Sequence, residues 1–170
     1  AEGRFLAVLK QDENHRSEPR VTIWNVDERK VTRVLSVDAA KGEEFNFSGR
    51  AFHPNGKQFA AMIVSPTGAD PSSLFQVRVW DVQSGAEVWR RPTEGTSSIA
   101  TLAYSPDGKF LAEASEERDV INFRNPGDGI VQHRLQIPGV ANRRMQKLLW
   151  FSPDGSKLAV SMTNQTGVHV

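Results

Sequence analysis

The turn Ser105-Pro106-Asp107-Gly108 constrains this chain more than any other stretch, because it comes back. It lies within Tyr104-Ser105-Pro106-Asp107-Gly108-Lys109-Phe110-Leu111-Ala112 and recurs in Phe151-Ser152-Pro153-Asp154-Gly155-Ser156-Lys157-Leu158-Ala159. A looser copy is Phe52-His53-Pro54-Asn55-Gly56-Lys57-Gln58-Phe59-Ala60. In each, an apolar residue precedes the turn and a second apolar run follows it. Proline presets φ, and glycine supplies the φ > 0 position that closes the turn. Each copy therefore predicts a β-hairpin. The turn glycines at 56, 108 and 155 are 52 and 47 residues apart. Recurrence on that scale marks a repeat architecture. Gly3-Arg4-Phe5-Leu6-Ala7 overlays Gly108-Lys109-Phe110-Leu111-Ala112 as an eroded further copy, so the chain is expected to open inside a repeat.

The segments between the turns read as strands. Val21 and Ile23 alternate with Thr22, the period of a strand with one buried face. Phe75-Gln76-Val77-Arg78-Val79-Trp80-Asp81-Val82 repeats that alternation, and Trp80 lies 56 residues after Trp24. In the third unit two registers compete. Either Phe123 or Arg124 takes the slot of Trp80. The second is preferred, because it aligns Gly129 with Gly85 and puts Ile121 and Phe123, rather than Asn122, at the buried positions. The pattern predicts fourteen strands grouped as three, four, four and three, with helix content near zero.

Charge excludes some partners. Twenty-one basic residues against 20 acidic leave a net charge of +1. No global field draws the chain to nucleic acid or to an anionic membrane. Without cysteine there is no disulfide and no thiolate zinc site. No apolar run approaches the roughly 18 residues of a membrane span.

Taken together, Trp80-Asp81 with Gly85 closing the next turn, the near match Trp24-Asn25, and Ser-Pro-Asp-Gly followed by Leu-Ala resemble WD40 repeats of a divergent, bacterial type. The resemblance implies an all-β fold, a β-propeller segment of about 3.5 four-stranded antiparallel blades. The blades would fall at 1–37, 46–92, 98–138 and 147–170, as part of a larger propeller of about seven or eight blades. The Gly-His dipeptide that often precedes such repeats is absent, and the third unit lacks Trp-Asp. The buried Asp-His-Ser/Thr-Trp network of the family is therefore not carried over.

What the resemblance implies for function is a non-catalytic protein–protein interaction scaffold. The binding loops would be 11–19, 38–47, 65–74, 91–98, 116–119 and 140–147. The partner would be a protein or peptide, with no cofactor, nucleic acid or membrane involved. The faces of the terminal blades would meet the remaining blades or a second copy. The alternative is a propeller domain of an enzyme or cofactor-binding protein, TolB-like or quinoprotein-like, with its chemistry elsewhere. Val82-Gln83-Ser84-Gly85-Ala86-Glu87-Val88-Trp89 looks like one quinoprotein repeat, but it occurs once.

Individual residues point the same way. His15, His53, His133 and His169 share no metal-ligand spacing. No Gly-x-Ser-x-Gly elbow or phosphate-binding glycine loop is present. Asp107 and Asp154 read as turn residues that cap their own backbone. Two basic clusters, Arg90-Arg91 and Arg143-Arg144 with Lys147, are the candidate partner contacts. Trp89, in an outer strand, is expected to be partly exposed and to anchor a partner. Trp24, Trp80 and Trp150 are expected in the core.

Overall fold

Apolar alternation produces strands throughout. The computed structural model describes residues 4–10, 20–37, 44–64, 74–93, 100–115, 120–137, 147–162 and 168–169, and among them there is no helix. Among the described residues fourteen strands form four antiparallel sheets. Sheet 1 is β1 (Phe5–Lys10), β2 (Arg20–Asn25) and β3 (Lys30–Ser36). Sheet 2 is β4 (Glu44–Phe52), β5 (Gln58–Val64), β6 (Phe75–Asp81) and β7 (Glu87–Pro92). Sheet 3 is β8 (Ala100–Tyr104), β9 (Leu111–Ser115), β10 (Val120–Arg124) and β11 (Val131–Gln136). Sheet 4 is β12 (Lys147–Phe151), β13 (Leu158–Met162) and β14 (Val168–His169). The expected grouping of three, four, four and three strands is observed. Three strands reach into expected connections: β4 begins at Glu44, within 38–47, with an irregularity between Phe45 and Arg50; β7 runs to Pro92, within 91–98; and β12 begins at Lys147, within 140–147.

Register shows that the sheets are copies. A bulge falls at Ile23/Trp24, at Val79/Trp80 and at Phe123/Arg124. Trp24, Trp80 and Arg124 therefore occupy one slot, and the preferred register for the third unit is the observed one. The reason given for it is not, because each middle sheet is buried on both faces. Asn122 and Arg124 both lie in the interior. The turn after the slot closes at Arg29, Gly85 and Gly129, all with positive φ.

The sheets stack in chain order with a core at each seam. Between sheets 1 and 2, Val21, Ile23 and Leu35 meet Phe59, Ala61, Ile63 and Trp80. Between sheets 2 and 3, Ala60, Val77, Val79 and Trp89 meet Leu102, Tyr104 and Leu111. Between sheets 3 and 4, Ala112, Ala114 and Ile121 meet Leu149 and Val160. Strands of alternating side chains thus bury both faces wherever a sheet has two neighbours. Fully burying one such aliphatic or aromatic side chain stabilises by about 1.5–3 kcal/mol. Trp80 is buried as expected, whereas Trp24 (37%) and Trp150 (51%) are exposed. They lie on the outward faces of sheets 1 and 4, with Leu6, Val8, Val34 and Leu148.

The tight turns align at one end of the stack. A Cβ on Gly56 would meet the Phe5 ring, and one on Gly108 would meet His53. Each turn thus rests on the sheet before it. The ends of β1, β3, β5, β7, β9 and β11 all lie at the other end.

Candidate functional site

The most polar part of the interior is the seam between sheets 2 and 3. It begins with a substitution. Where sheet 2 has Phe59, Ala61 and Trp80, sheet 3 has Leu111, Glu113 and Arg124. All three side chains of sheet 3 face sheet 2. Glu113 is 1% exposed and Arg124 4%. Arg124 Nε donates to Glu113 Oε2 at 2.6 Å. Its Nη1 donates to the Gly129 carbonyl at 2.9 Å, and Nη2 to the Pro92 carbonyl of β7 at 3.1 Å. One guanidinium therefore joins β9, the turn after β10, and the neighbouring sheet. Such charge-assisted bonds are shorter and stronger than neutral ones.

Trp89 closes the same seam. Its exposure is 7%, so the expectation of a partly exposed anchor is corrected. The outer strand of one sheet is covered by the turn of the next. Trp89 Nε1 donates to the Pro126 carbonyl at 2.8 Å, and the ring lies where a Cβ on Gly129 would fall, 2.6 Å from Cε3. Positive φ (75°) and this close approach both require glycine there. In sheet 1 the equivalent residue, Arg33, donates to the Gln83 carbonyl and lies over Gly85 in the same way. His53 adds a third bond across the seam between sheets 2 and 3. Its Nδ1 accepts from Asn55 N at 3.2 Å, so Nε2 carries the hydrogen and donates to the Gly108 carbonyl at 3.1 Å.

Arg90 and Arg91 do not converge. Successive side chains of β7 point to opposite faces. Arg90 turns toward sheet 1, where its Nε and Nη2 donate to Glu87 Oε1 at 2.5 Å and Oε2 at 2.9 Å. Buried Arg78 also lies 4.0 Å from Glu87. Arg91 turns toward sheet 3 and donates from Nε to the Asp128 carbonyl at 3.2 Å. Lys147 opens β12, the first strand of sheet 4, and is not on an outer strand. Arg143 and Arg144 lie outside the described residues.

The carboxylates of the turns act as expected. Asp107 accepts from the Ser105 hydroxyl at 2.6 Å and from Lys109 N at 3.1 Å. Asp154 accepts from the Ser152 hydroxyl at 2.5 Å and from Ser156 N at 3.1 Å. The serine bonds, followed by the backbone bonds, lower both carboxyls to about 2. Asp81 is likewise lowered, first by the backbone N–H of Ser84 and then by its hydroxyl. Burial raises the phenol of Tyr104. Its hydroxyl has no hydrogen-bond partner among the described residues. No three His, Cys, Asp or Glu side chains converge among the described residues. Among the described residues no helix is long and apolar enough to cross a membrane.

Sequence reasoning missed Glu113 and Arg124 as a pair. No family model and no curated protein matches the chain. Solved structures do. The complex of KlAtg21 with the coiled-coil of AgAtg16 matches with a TM-score of 0.67 at 17% identity, over 98% of this chain and 49% of that one. Kuenenia stuttgartiensis hydrazine synthase matches with a TM-score of 0.71 at 14% identity, over 99% of this chain and 55% of that one. At such identities the likeness is one of fold. The chain spans about half the length of each.

Proposed function

We propose that the chain is a segment of a WD40-like β-propeller, each sheet a blade, and that it serves as a non-catalytic scaffold for a protein or peptide partner. The observation that carries this reading is the polarity of the stack. Tight, hydrogen-bonded turns occupy one end. From the other end leave the longer connections, which differ in length and charge, held by sheets packed against their neighbours at each seam. Loops on a rigid scaffold are where binding residues concentrate. One structural neighbour was itself solved with a coiled-coil partner. The outward faces of sheets 1 and 4 are assigned to further blades or to a second copy. Light scattering on the purified chain should then show oligomers. Affinity capture with the chain, repeated with R143E/R144E, tests the loops; capture of the same partners in the same amounts would remove that pair from the binding face.

A second reading rests on the other neighbour, which is named as an enzyme. It requires ionisable groups gathered along the first strands β4, β8 and β12. Metal-dependent activity of the chain, abolished by chelation, would establish that reading in place of the scaffold.

A further inference from the structure

We propose that Asn55-Gly56, in the turn between β4 and β5, is a self-modifying site: it loses ammonia and re-forms as an aspartyl or isoaspartyl linkage, and the isoaspartyl form releases the His53 contact between sheets 2 and 3. Asn55 is the one asparagine of the chain that a glycine follows. The later copies of the turn carry Asp107 and Asp154 at its position. Chemistry separates the copies. An amide can lose ammonia to an attacking nitrogen, whereas a carboxylate resists attack. The serine hydroxyls, and then backbone N–H groups, hold the carboxyls of Asp107 and Asp154 at about 2, so both stay ionised. In the Asn55 copy His53 stands where those serines stand. The site is there whether or not the loops bind a partner.

The Gly56 nitrogen gives its proton to a solvent base and attacks Cγ of Asn55. The N–Cγ bond forms, the Cγ–Nδ2 bond breaks, and Nδ2 leaves as ammonia with a proton taken from water. A five-membered succinimide remains, and water opens it. Opening at Cγ gives an aspartate in the ordinary chain. Opening at the α-carbonyl leaves the chain running through Cβ and Cγ, the isoaspartyl form. Asn55 is exposed, and Gly56 has no Cβ to crowd its nitrogen. Lys57 N already donates to Asn55 Oδ1 at 2.9 Å, the oxygen on which negative charge develops during attack. Gly56 N itself donates to the His53 carbonyl at 2.8 Å, and Gly56 is buried against the Phe5 ring. The turn must therefore open before the nitrogen reaches Cγ, and the folded chain reacts more slowly than a free peptide.

The two products act differently on the seam. An aspartate at 55 keeps the turn, because Asp107 Oδ1 accepts from Lys109 N at 3.1 Å just as Asn55 Oδ1 accepts from Lys57 N. An isoaspartate adds a carbon to the backbone within a turn that closes through the Gly56 N bond to His53 and a φ of 72° at Gly56. That closure positions His53. Asn55 N donates to its Nδ1 at 3.2 Å, and its Nε2 donates to the Gly108 carbonyl of sheet 3 at 3.1 Å. The ring also meets Tyr104 edge-on, with centroids 5.0 Å apart. A lengthened turn carries the ring off sheet 3.

The 170-residue chain and a synthetic peptide of residues 51–57 are aged at mildly acid and mildly alkaline pH, and the chain is then cut with trypsin after Arg50 and Lys57. Mass spectrometry should show residues 51–57 gaining one mass unit, in two forms that co-elute with aspartyl and isoaspartyl standards. The gain should be several-fold faster at alkaline pH, and N55Q should show none. No gain in the chain once the free peptide has fully converted, or a rate indifferent to pH, would overturn the site. The isoaspartyl chain, isolated by ion exchange, should unfold about 2–4 °C below the parent, with N55D within about 1 °C of it. An isoaspartyl chain as stable as N55D would overturn the release of His53.

Discussion

The Glu113–Arg124 pair allows a sharp test of what holds sheets 2 and 3 together. Removing one member of a buried ion pair leaves the other desolvated and uncompensated, at a cost of about 3–5 kcal/mol. Arg124→Ala also strips the Gly129 and Pro92 carbonyls of their donor. For a chain of this size 1 kcal/mol corresponds to about 2–4 °C in Tm. Arg124→Ala should therefore lower Tm by about 6–20 °C. The repeat supplies the rescue. Sheet 2 holds Ala61 and Trp80 where sheet 3 holds Glu113 and Arg124. Replacing a buried pair by well-packed apolar side chains is often neutral or stabilising. The double variant E113A/R124W is thus expected within about 1 kcal/mol of the parent. The assay is thermal and urea unfolding followed by far-UV circular dichroism, on the parent, both single variants and the double. A loss below about 1 kcal/mol for Arg124→Ala would refute the argument. So would a double variant no more stable than the worse single one.

Other perturbations follow from the same geometry. Tyr104→Phe should be neutral or stabilising by about 1 kcal/mol in urea unfolding, because its buried hydroxyl lacks a partner among the described residues and Phe52 and Phe151 fill the same slot. Arg29 is the one described non-glycine residue with positive φ (52°), at the position of Gly85 and Gly129. Arg29→Gly should raise stability by about 0.5–1 kcal/mol, read as a higher urea midpoint. Gly129→Ala should destabilise more than Gly155→Ala, since both have positive φ but only the first drives a Cβ into the Trp89 ring; calorimetric Tm values of the two variants check the order. Asp107 and Asp154 titrate at about 2 in the folded chain against an ordinary 3.8. Depressed carboxyls contribute stability above the unfolded value and lose it as pH falls through the folded one. D107N/D154N should therefore flatten the decline in Tm between about pH 4 and pH 2.

Most of the architecture could be read from spacing. A Pro-Asp/Asn-Gly turn is a local event whose φ demands are met by three residues, so each hairpin was visible without tertiary information. The strand count followed from alternation between the hairpins. Surface position was harder. Trp24, Trp80 and Trp150 all read as core, yet only Trp80 has a neighbouring sheet over it. Trp89 read as exposed because outer strands end their sheets. Its burial comes from the Pro126–Gly129 turn of the next sheet, 37 residues on, a contact that no periodicity within β7 encodes. The Arg90-Arg91 doublet divides for a related reason. Adjacency in sequence puts Arg90 and Arg91 on opposite faces of a strand, so a doublet that looks like a patch is two separate contacts.

The polar seam was legible in principle, and the reason it was missed is physical. A strand with one buried face should reject a charge on that face, so polar residues at core positions argue for a register slip. Sheets 2 and 3 have two buried faces, and the inference fails there: a slip would only exchange one buried polar residue for another. The signal lies in comparing copies. Once Arg124 is aligned with Trp80, Glu113 aligns with Ala61 on the strand beside it, on the same face and one row away. Two slots that are apolar in one repeat and carry opposite charges in the next imply a pair, because either charge alone in the interior would cost several kcal/mol. That covariation between repeats predicts a contact within a single chain. It also predicts that neither Glu113 nor Arg124 tolerates replacement alone, which is the asymmetry the single and double variants measure.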